Sequence, residues 1–165
     1  MDIVYINQTF GLGGAETFNI SLANYLSKSS TLHLYTNYPV LHKLTVNLKS
    51  HLIPFSVDFI GDWKGFIKGI FYLPFLQLYY LYIVLNHLSS NTYYFTGYIE
   101  KILLTPWLKL LGKKVVWVEF GPLETIFIKF WHIPEFLYRL VSGFPDKVIF
   151  SSQNSMDLNQ KYFPR

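Results

Sequence analysis

"IVYINQTFGLGGAETFNISLANYLSK", Ile3 to Lys28, decides the fold. Its first four residues form an unbroken apolar run, the pattern of a parallel strand covered on both faces rather than of an alternating edge strand. The run ends in a glycine-rich turn. From Ala15 the period changes: Phe18, Leu22, Tyr25 and Leu26 recur at helical spacing with Asn19 and Asn24 between them, and Ser27 to Ser30 close the segment. Strand, glycine loop and helix in that order are the opening unit of an α/β sheet.

The same alternation continues outward. "TLHLYTN" (Thr31 to Asn37) alternates as a second strand, and "HLIPFSV" (His51 to Val57) reads as a third, shortened or placed at an edge by Pro54. "NTYYFTG" (Asn91 to Gly97) is a strand entering a loop, and Ile99 to Leu111 a helix closed by Gly112. "KKVVWVEFGP" (Lys113 to Pro122) holds the clearest buried strand, with Val115 to Val118 uninterrupted. "ETIFIKFWHIPEFLYRLVSGF" is helical in period and broken by Pro134. A last strand, Lys147 to Phe150, leads through a serine loop to a helix for which Asn154 or Ser155 is the expected N-cap. The expected fold class is α/β: a single Rossmann-like domain over residues 1–165, with a mostly parallel sheet flanked by helices.

One segment leaves three readings open. Between Phe66 and Leu88 lie sixteen residues, Ile70 to Leu85, in which Gln77 is the sole strongly polar side chain. A spanning helix needs about 20 apolar residues and at least roughly 17. The run therefore reads as a core helix with one aromatic face outside, as an interfacial helix lying on a membrane, or as a short span weakened by Pro74.

Composition narrows the function classes. Half the chain is hydrophobic (51%), 19% is aromatic and 15% is charged, which excludes disorder and brings membrane contact into view. The net charge of +4 favours anionic lipid or phosphorylated ligands. Lys101, Lys109, Lys113 and Lys114 cluster without the aromatic interleaving of a nucleic-acid reader, so no nucleic-acid partner is expected. The absence of cysteine excludes disulfides and thiolate metal sites and fits a cytoplasmic protein. "MDIVYIN" lacks the basic start of a signal peptide. The five histidines (His33, His42, His51, His87, His132) are scattered, with no i,i+4 pair and no carboxylate at ligand spacing, so no metal site is expected and each reads as structural or solvated.

In a doubly wound sheet, ligands sit outside the carboxyl ends of the strands. Those ends are Gln8 to Glu16, Thr96 to Glu100, Glu119 to Glu124 and Ser151 to Asn154. The first carries "GLGGAE", Gly11 to Glu16. A dinucleotide fingerprint would need a third glycine where Glu16 stands, and an acid at the end of the second strand, where Tyr35, Thr36, Asn37 and Tyr38 stand instead. A P-loop would need a lysine after the glycines, and none follows. What survives is close backbone approach and helix-start amides that favour an anionic or polyhydroxyl group, beside the plainer reading of a tight turn. Glu119 follows a buried strand directly, where a carboxylate serves as a base, as an acceptor for a hydroxyl, or as a helix cap.

Three segments taken together carry a resemblance. "GLGGAETFNISLANYLSK", "KKVVWVEFGP" and "DKVIFSSQNSMDLNQKYFP" resemble, in order and spacing, the amino-terminal domain of family 4 glycosyltransferases of the GT-B fold. The resemblance implies an acceptor-binding Rossmann-like domain that works with a carboxy-terminal donor-binding domain or subunit, expected to be absent from these 165 residues. Reaction would occur in the cleft between them, with a nucleotide-sugar as substrate, no cofactor and no metal. By position, Gly13 and Gly14 would lie beside the donor diphosphate and the transferred sugar, with Glu16 at the start of the first helix. The family often places a histidine after the buried middle strand; the matching stretch here is Glu119, Phe120, Gly121, which makes Glu119 the candidate catalytic residue. Thr96, Gly97, Tyr98, Gly121 and Ser152 complete the candidate donor- or acceptor-binding set.

The resemblance also implies a glycan or lipid-linked acceptor, a role in cell-envelope polysaccharide, and a cytoplasmic protein peripheral at the inner face of the membrane. Phe66 to Leu88 and Ile126 to Leu140, with Lys64, Lys68, Lys129 and Arg139 in or beside them, would form an anionic-membrane surface. A noncatalytic, membrane-peripheral interaction module is the alternative.

Overall fold

The structure is a computed structural model that describes residues 2–8, 13–44, 48–54 and 63–163, without the side chains of 43 and 44. Six strands of a parallel sheet alternate with helices, the α/β Rossmann-like fold that the sequence predicts. The chain divides into two compact units, Met1–Asn91 and Thr92–Arg165.

In the first unit, β1 (Asp2–Asn7) leads into α1 (Gly14–Ser27), and β2 (Thr31–Thr36) pairs parallel to β1 in the register Ile3 to Leu32 and Tyr5 to Leu34. All of β1 from Ile3 to Asn7 is buried, which is why it lacks the alternation of a half-exposed strand. Each fully buried aliphatic side chain in it contributes about 1.5–3 kcal/mol. A short helix absent from the sequence reading, α2 (Pro39–Leu44), starts on a proline, which suits a first helical position because its missing N–H has no partner there.

The third strand corrects the sequence reading. It is β3, Lys49–Leu52, rather than His51 to Val57, of which residues 55–57 lie outside the described residues. Pairing with β2, His33 to Lys49 and Tyr35 to His51, extends the strand back into the polar Lys49 and Ser50. Ladder hydrogen bonds override weak strand propensity at an edge. Pro54, inside the expected strand, lies beyond the end of β3, which is an edge strand.

Helix α3 (Trp63–Asn86) runs 24 residues with Pro74 inside it. Its buried stripe is narrow: Gly69, Leu76, Tyr80, Ile83 and Val84. Ile67, Phe71, Phe75, Leu78 and Leu85 recur at helical spacing on an exposed face, with Phe71 at 70% and Leu78 at 64% exposure. The most apolar 18-residue window has a mean hydropathy of 1.3 and is 28% buried, so the helix is long and apolar enough to cross a membrane and is far from a sealed core helix.

The second unit contains β4 (Thr92–Phe95), α4 (Tyr98–Leu110), β5 (Lys114–Glu119), α5 (Glu124–Phe127), α6 (Ile133–Val141), β6 (Lys147–Phe150) and α7 (Gln153–Asn159). β5 pairs parallel to both β4 and β6, Trp117 lying opposite Phe95 and Val148. Gly112 closes α4 at φ +68°, the left-handed cap expected of it. The break between α5 and α6 falls at Phe130, Trp131 and His132, all at positive φ, and not at Pro134. Pro134 sits in the first turn of α6, where proline is tolerated. The N-cap of α7 is Ser152, whose Oγ accepts from the Ser155 amide at 3.1 Å, rather than Asn154 or Ser155.

Candidate functional site

The sequence-predicted site residues divide between the two units. In the first, Gly13 caps α1 in an extended conformation, and its carbonyl accepts from the Thr17 amide at 3.2 Å and the Thr17 hydroxyl at 3.1 Å. Gly14 is the first helical residue and is exposed; among the described residues, a Cβ built there would meet nothing within 4 Å. Glu16 is buried in the first turn. Gly11, first of the glycine run, lies outside the described residues.

A buried polar chain holds this helix against β1. Tyr5 Oη donates to Asn19 Oδ1 at 2.7 Å, and Asn19 Nδ2 reaches Asn7 Oδ1 at 3.4 Å. Gln8 Nε2 donates to Tyr80 Oη at 2.6 Å, tying the carboxyl end of β1 to α3. Both asparagines are buried, where an unsatisfied amide would cost about 1–3 kcal/mol. Asn7 and Asn19 position the glycine loop's helix, a role that only the pairing of a strand-end and a helical amide would have signalled.

In the second unit, the carboxyl ends of β4, β5 and β6 bring Thr96, Gly97, Tyr98, Glu119, Gly121 and Ser152 to one edge. Thr96 is buried. The Gly97 amide donates to Glu100 Oε1 at 2.7 Å, and a Cβ at Gly97 would lie 2.5 Å from that oxygen. The glycine there makes room for the cap. Tyr98 stacks on Tyr138 at 5.8 Å, and its hydroxyl donates to the Pro134 carbonyl. Burial pushes the Tyr98 hydroxyl far above its ordinary range.

Glu119 sits in a sealed pair. Its side chain and that of Lys101 are each 2% exposed and meet at 2.7 Å, while Tyr138 Oη donates to the same carboxylate oxygen at 2.5 Å. Lys101 also donates to the Val118 carbonyl at 2.7 Å and lies 5.9 Å from the Trp117 ring centroid. Burial and the Glu119 charge push the Tyr138 hydroxyl up, so it stays a donor. Glu119 in this arrangement fixes the end of β5 through its partners.

The loop after β5 is pinned by a residue the sequence reading passed over. Asn159, fully buried on α7, accepts from the Leu123 amide at 2.9 Å and donates to the Gly121 carbonyl at 2.7 Å. Gly121 adopts φ +41°, a conformation costly for other residues. The lysine cluster is also resolved: Lys101 is buried against Glu119, and Lys109 pairs with Asp146 at 2.7 Å. Two of the four charges are thus paired.

No protein-family model and no curated protein sequence matches the chain. A solved structure does: HepE from Anabaena, crystallised in complex with UDP-glucose. The match has a TM-score of 0.66 at 15% identity and covers 100% of this chain and 41% of HepE. The two proteins share a fold. This chain spans less than half the length of that relative.

Proposed function

We propose that the chain is the acceptor-binding half of a glycosyltransferase that takes a nucleotide-sugar donor, the other half being supplied by a second domain or subunit. The observation that carries this reading is the whole-chain likeness to 41% of a protein whose structure holds UDP-glucose. The exposure of Gly14 supports it. Amides at the start of α1 carry partial positive charge and suit the diphosphate of a donor. Gly13 and Gly14 leave room for close approach, and Thr96, Gly97, Tyr98, Gly121 and Ser152 border the carboxyl edge of β4 to β6.

Within this reading Glu119 acts through the β5 loop, since its carboxylate is sealed by Lys101 and Tyr138. The test is mass spectrometry of products after coexpression with a candidate donor-binding domain, supplied with a panel of nucleotide sugars. A sugar-sized mass gain on an acceptor is expected. No transfer from any donor would overturn the reading.

A noncatalytic, membrane-peripheral module is the second reading, favoured by the exposed face of α3. Its apolar side chains lie beside Lys64 and Lys68, and the Lys68 ammonium sits 5.7 Å over the Tyr72 ring, the arrangement of an in-plane helix at an anionic surface. Cosedimentation with anionic liposomes at low salt, lost at high salt, is the expected result for the α3 surface. Absence of binding would refute the membrane contact.

A further inference from the structure

Three histidines far apart in sequence converge in the first unit. His33 and Tyr35 on β2 lie opposite Lys49 and His51 on β3, and residues directly opposite in a ladder share a face. His87, just beyond α3, joins them. The ring centroids of His33 and His87 are 4.3 Å apart, those of Tyr35 and His51 4.7 Å and stacked, and Tyr35 Oη lies 2.8 Å from His87 Nε2. Together with Tyr79 and Tyr82 they line an open groove of about 970 Å³.

The charge of this lining, among the described residues, is one-sided. Among the described residues that line it there is no aspartate or glutamate. Lys49 has no carboxylate partner among the described residues, and His33 Nδ1 is buried without a hydrogen-bond partner. The imidazole N–H groups, the tyrosine hydroxyls and one ammonium supply donors, alongside the acceptor atoms of the imidazoles, the hydroxyls and the Asn86 amide. What favours an anion is the charge: the Lys49 ammonium, with no carboxylate in the described lining, makes the charge-assisted hydrogen bonds that the oxygens of a phosphoryl group accept. The groove's polar lining runs from His33 and Lys49 in the earlier part of β2 and β3 to Tyr35 and His51 nearer their carboxyl ends.

We propose that this groove is a binding site for a phosphoryl group carried by a larger molecule. The ammonium of Lys49 and the N–H groups of His33 and His51 would hold the phosphoryl oxygens, and the remaining volume accommodates the rest of the ligand. The phosphoryl group can come from a soluble phosphate or from a lipid headgroup reaching in beside the apolar face of α3. The site stands or falls independently of sugar transfer.

Charges around the groove set its pH dependence. Burial first, then the Lys49 ammonium, hold the His33 imidazole below its ordinary range; burial and His42 of α2 do so for His51, and burial, His33 and His51 for His87. Asp2 of β1 opposes this at His33 and His87. The Tyr35 hydroxyl is pushed up to about 12 by burial and by Tyr79 and Tyr82, and burial raises Tyr79, so both remain donors. A bound phosphate offsets the mutual repulsion, so protonation and binding favour each other.

The test is a titration of the full chain with inorganic phosphate, followed by histidine side-chain NMR at about pH 6 and about pH 8. Saturable shifts of His33 and His51 are expected, tighter at the lower pH. The double variant Lys49→Ala/His51→Asn, at exposed positions, should weaken binding about tenfold or more, with an unchanged backbone spectrum showing that it folds. Vesicles of phosphatidylcholine with and without phosphatidic acid form the second arm. A response to phosphatidic acid alone assigns the lipid source, and a response to free phosphate assigns the soluble one. Histidine signals unmoved in both arms, moved equally by chloride at matched ionic strength, moved by glucose alone, or insensitive to the double variant would overturn the proposal.

Discussion

Lys101 with Glu119 and the groove at His33 are two polar clusters built on opposite principles. The first is sealed: both charges are 2% exposed, face each other at 2.7 Å, and Tyr138 satisfies the same carboxylate. The second is open, rich in donors and held short of protons by burial and mutual repulsion. A sealed pair fixes backbone and resists change. An open cluster of lowered imidazoles is poised to respond to an anion or a proton. Perturbed or charged residues therefore mean different things in the two units, and exposure separates them.

The sharpest way to break this contrast is Lys101→Met. It leaves the Glu119 carboxylate buried without its cation, and unfolding by urea should show a loss of about 3–5 kcal/mol. A loss below about 1 kcal/mol, the scale of exposed pairs, would mean that the cluster is wet. Next is Gly97→Ala, whose Cβ would meet the Glu100 carboxylate at 2.5 Å and displace the cap of α4. Thermal unfolding should register about 1–3 kcal/mol of destabilisation. An unchanged midpoint would show that Glu100 moves aside freely.

The smallest effect belongs to the open cluster. His33, His51 and His87 have folded-state values below the ordinary 6.5, so between those values and 6.5 the unfolded chain binds more protons. Their contribution is fully present above about pH 6.5 and is lost as pH falls through the folded values. Midpoints measured across this window should drop on acidification, and drop less in His51→Asn. An equal drop in that variant would remove His51 from the cluster.

The comparison also marks what the sequence can carry. β1, α1 and β5 are legible because their periods and burial agree: Val115 to Val118 is apolar without interruption, and every one of those residues is buried. β3 is misplaced because Lys49 and Ser50 owe their strand conformation to pairing with β2. Asn154 and Ser155 lose the N-cap to Ser152 because cap geometry turns on one residue's backbone, which composition does not encode. The candidate site is half legible. Glycines and Glu119 announce themselves by following strands, yet Lys101 sits eighteen positions from Glu119 and Asn159 thirty-eight from Gly121, separations that leave no local signal. The histidines read as scattered for the same reason: 33, 51 and 87 meet through the β2–β3 register and the end of α3.

The central proposal, a half-site for sugar transfer at the start of α1, is tested most directly by Gly14→Val in the chain joined to its donor-binding partner. No described residue lies within 4 Å of the new Cβ, so stability should change by no more than about 0.5 kcal/mol. Turnover measured by product mass spectrometry should fall about a hundredfold or more, because the side chain occupies the ligand's space. Unchanged stability with wild-type turnover would contradict the assignment.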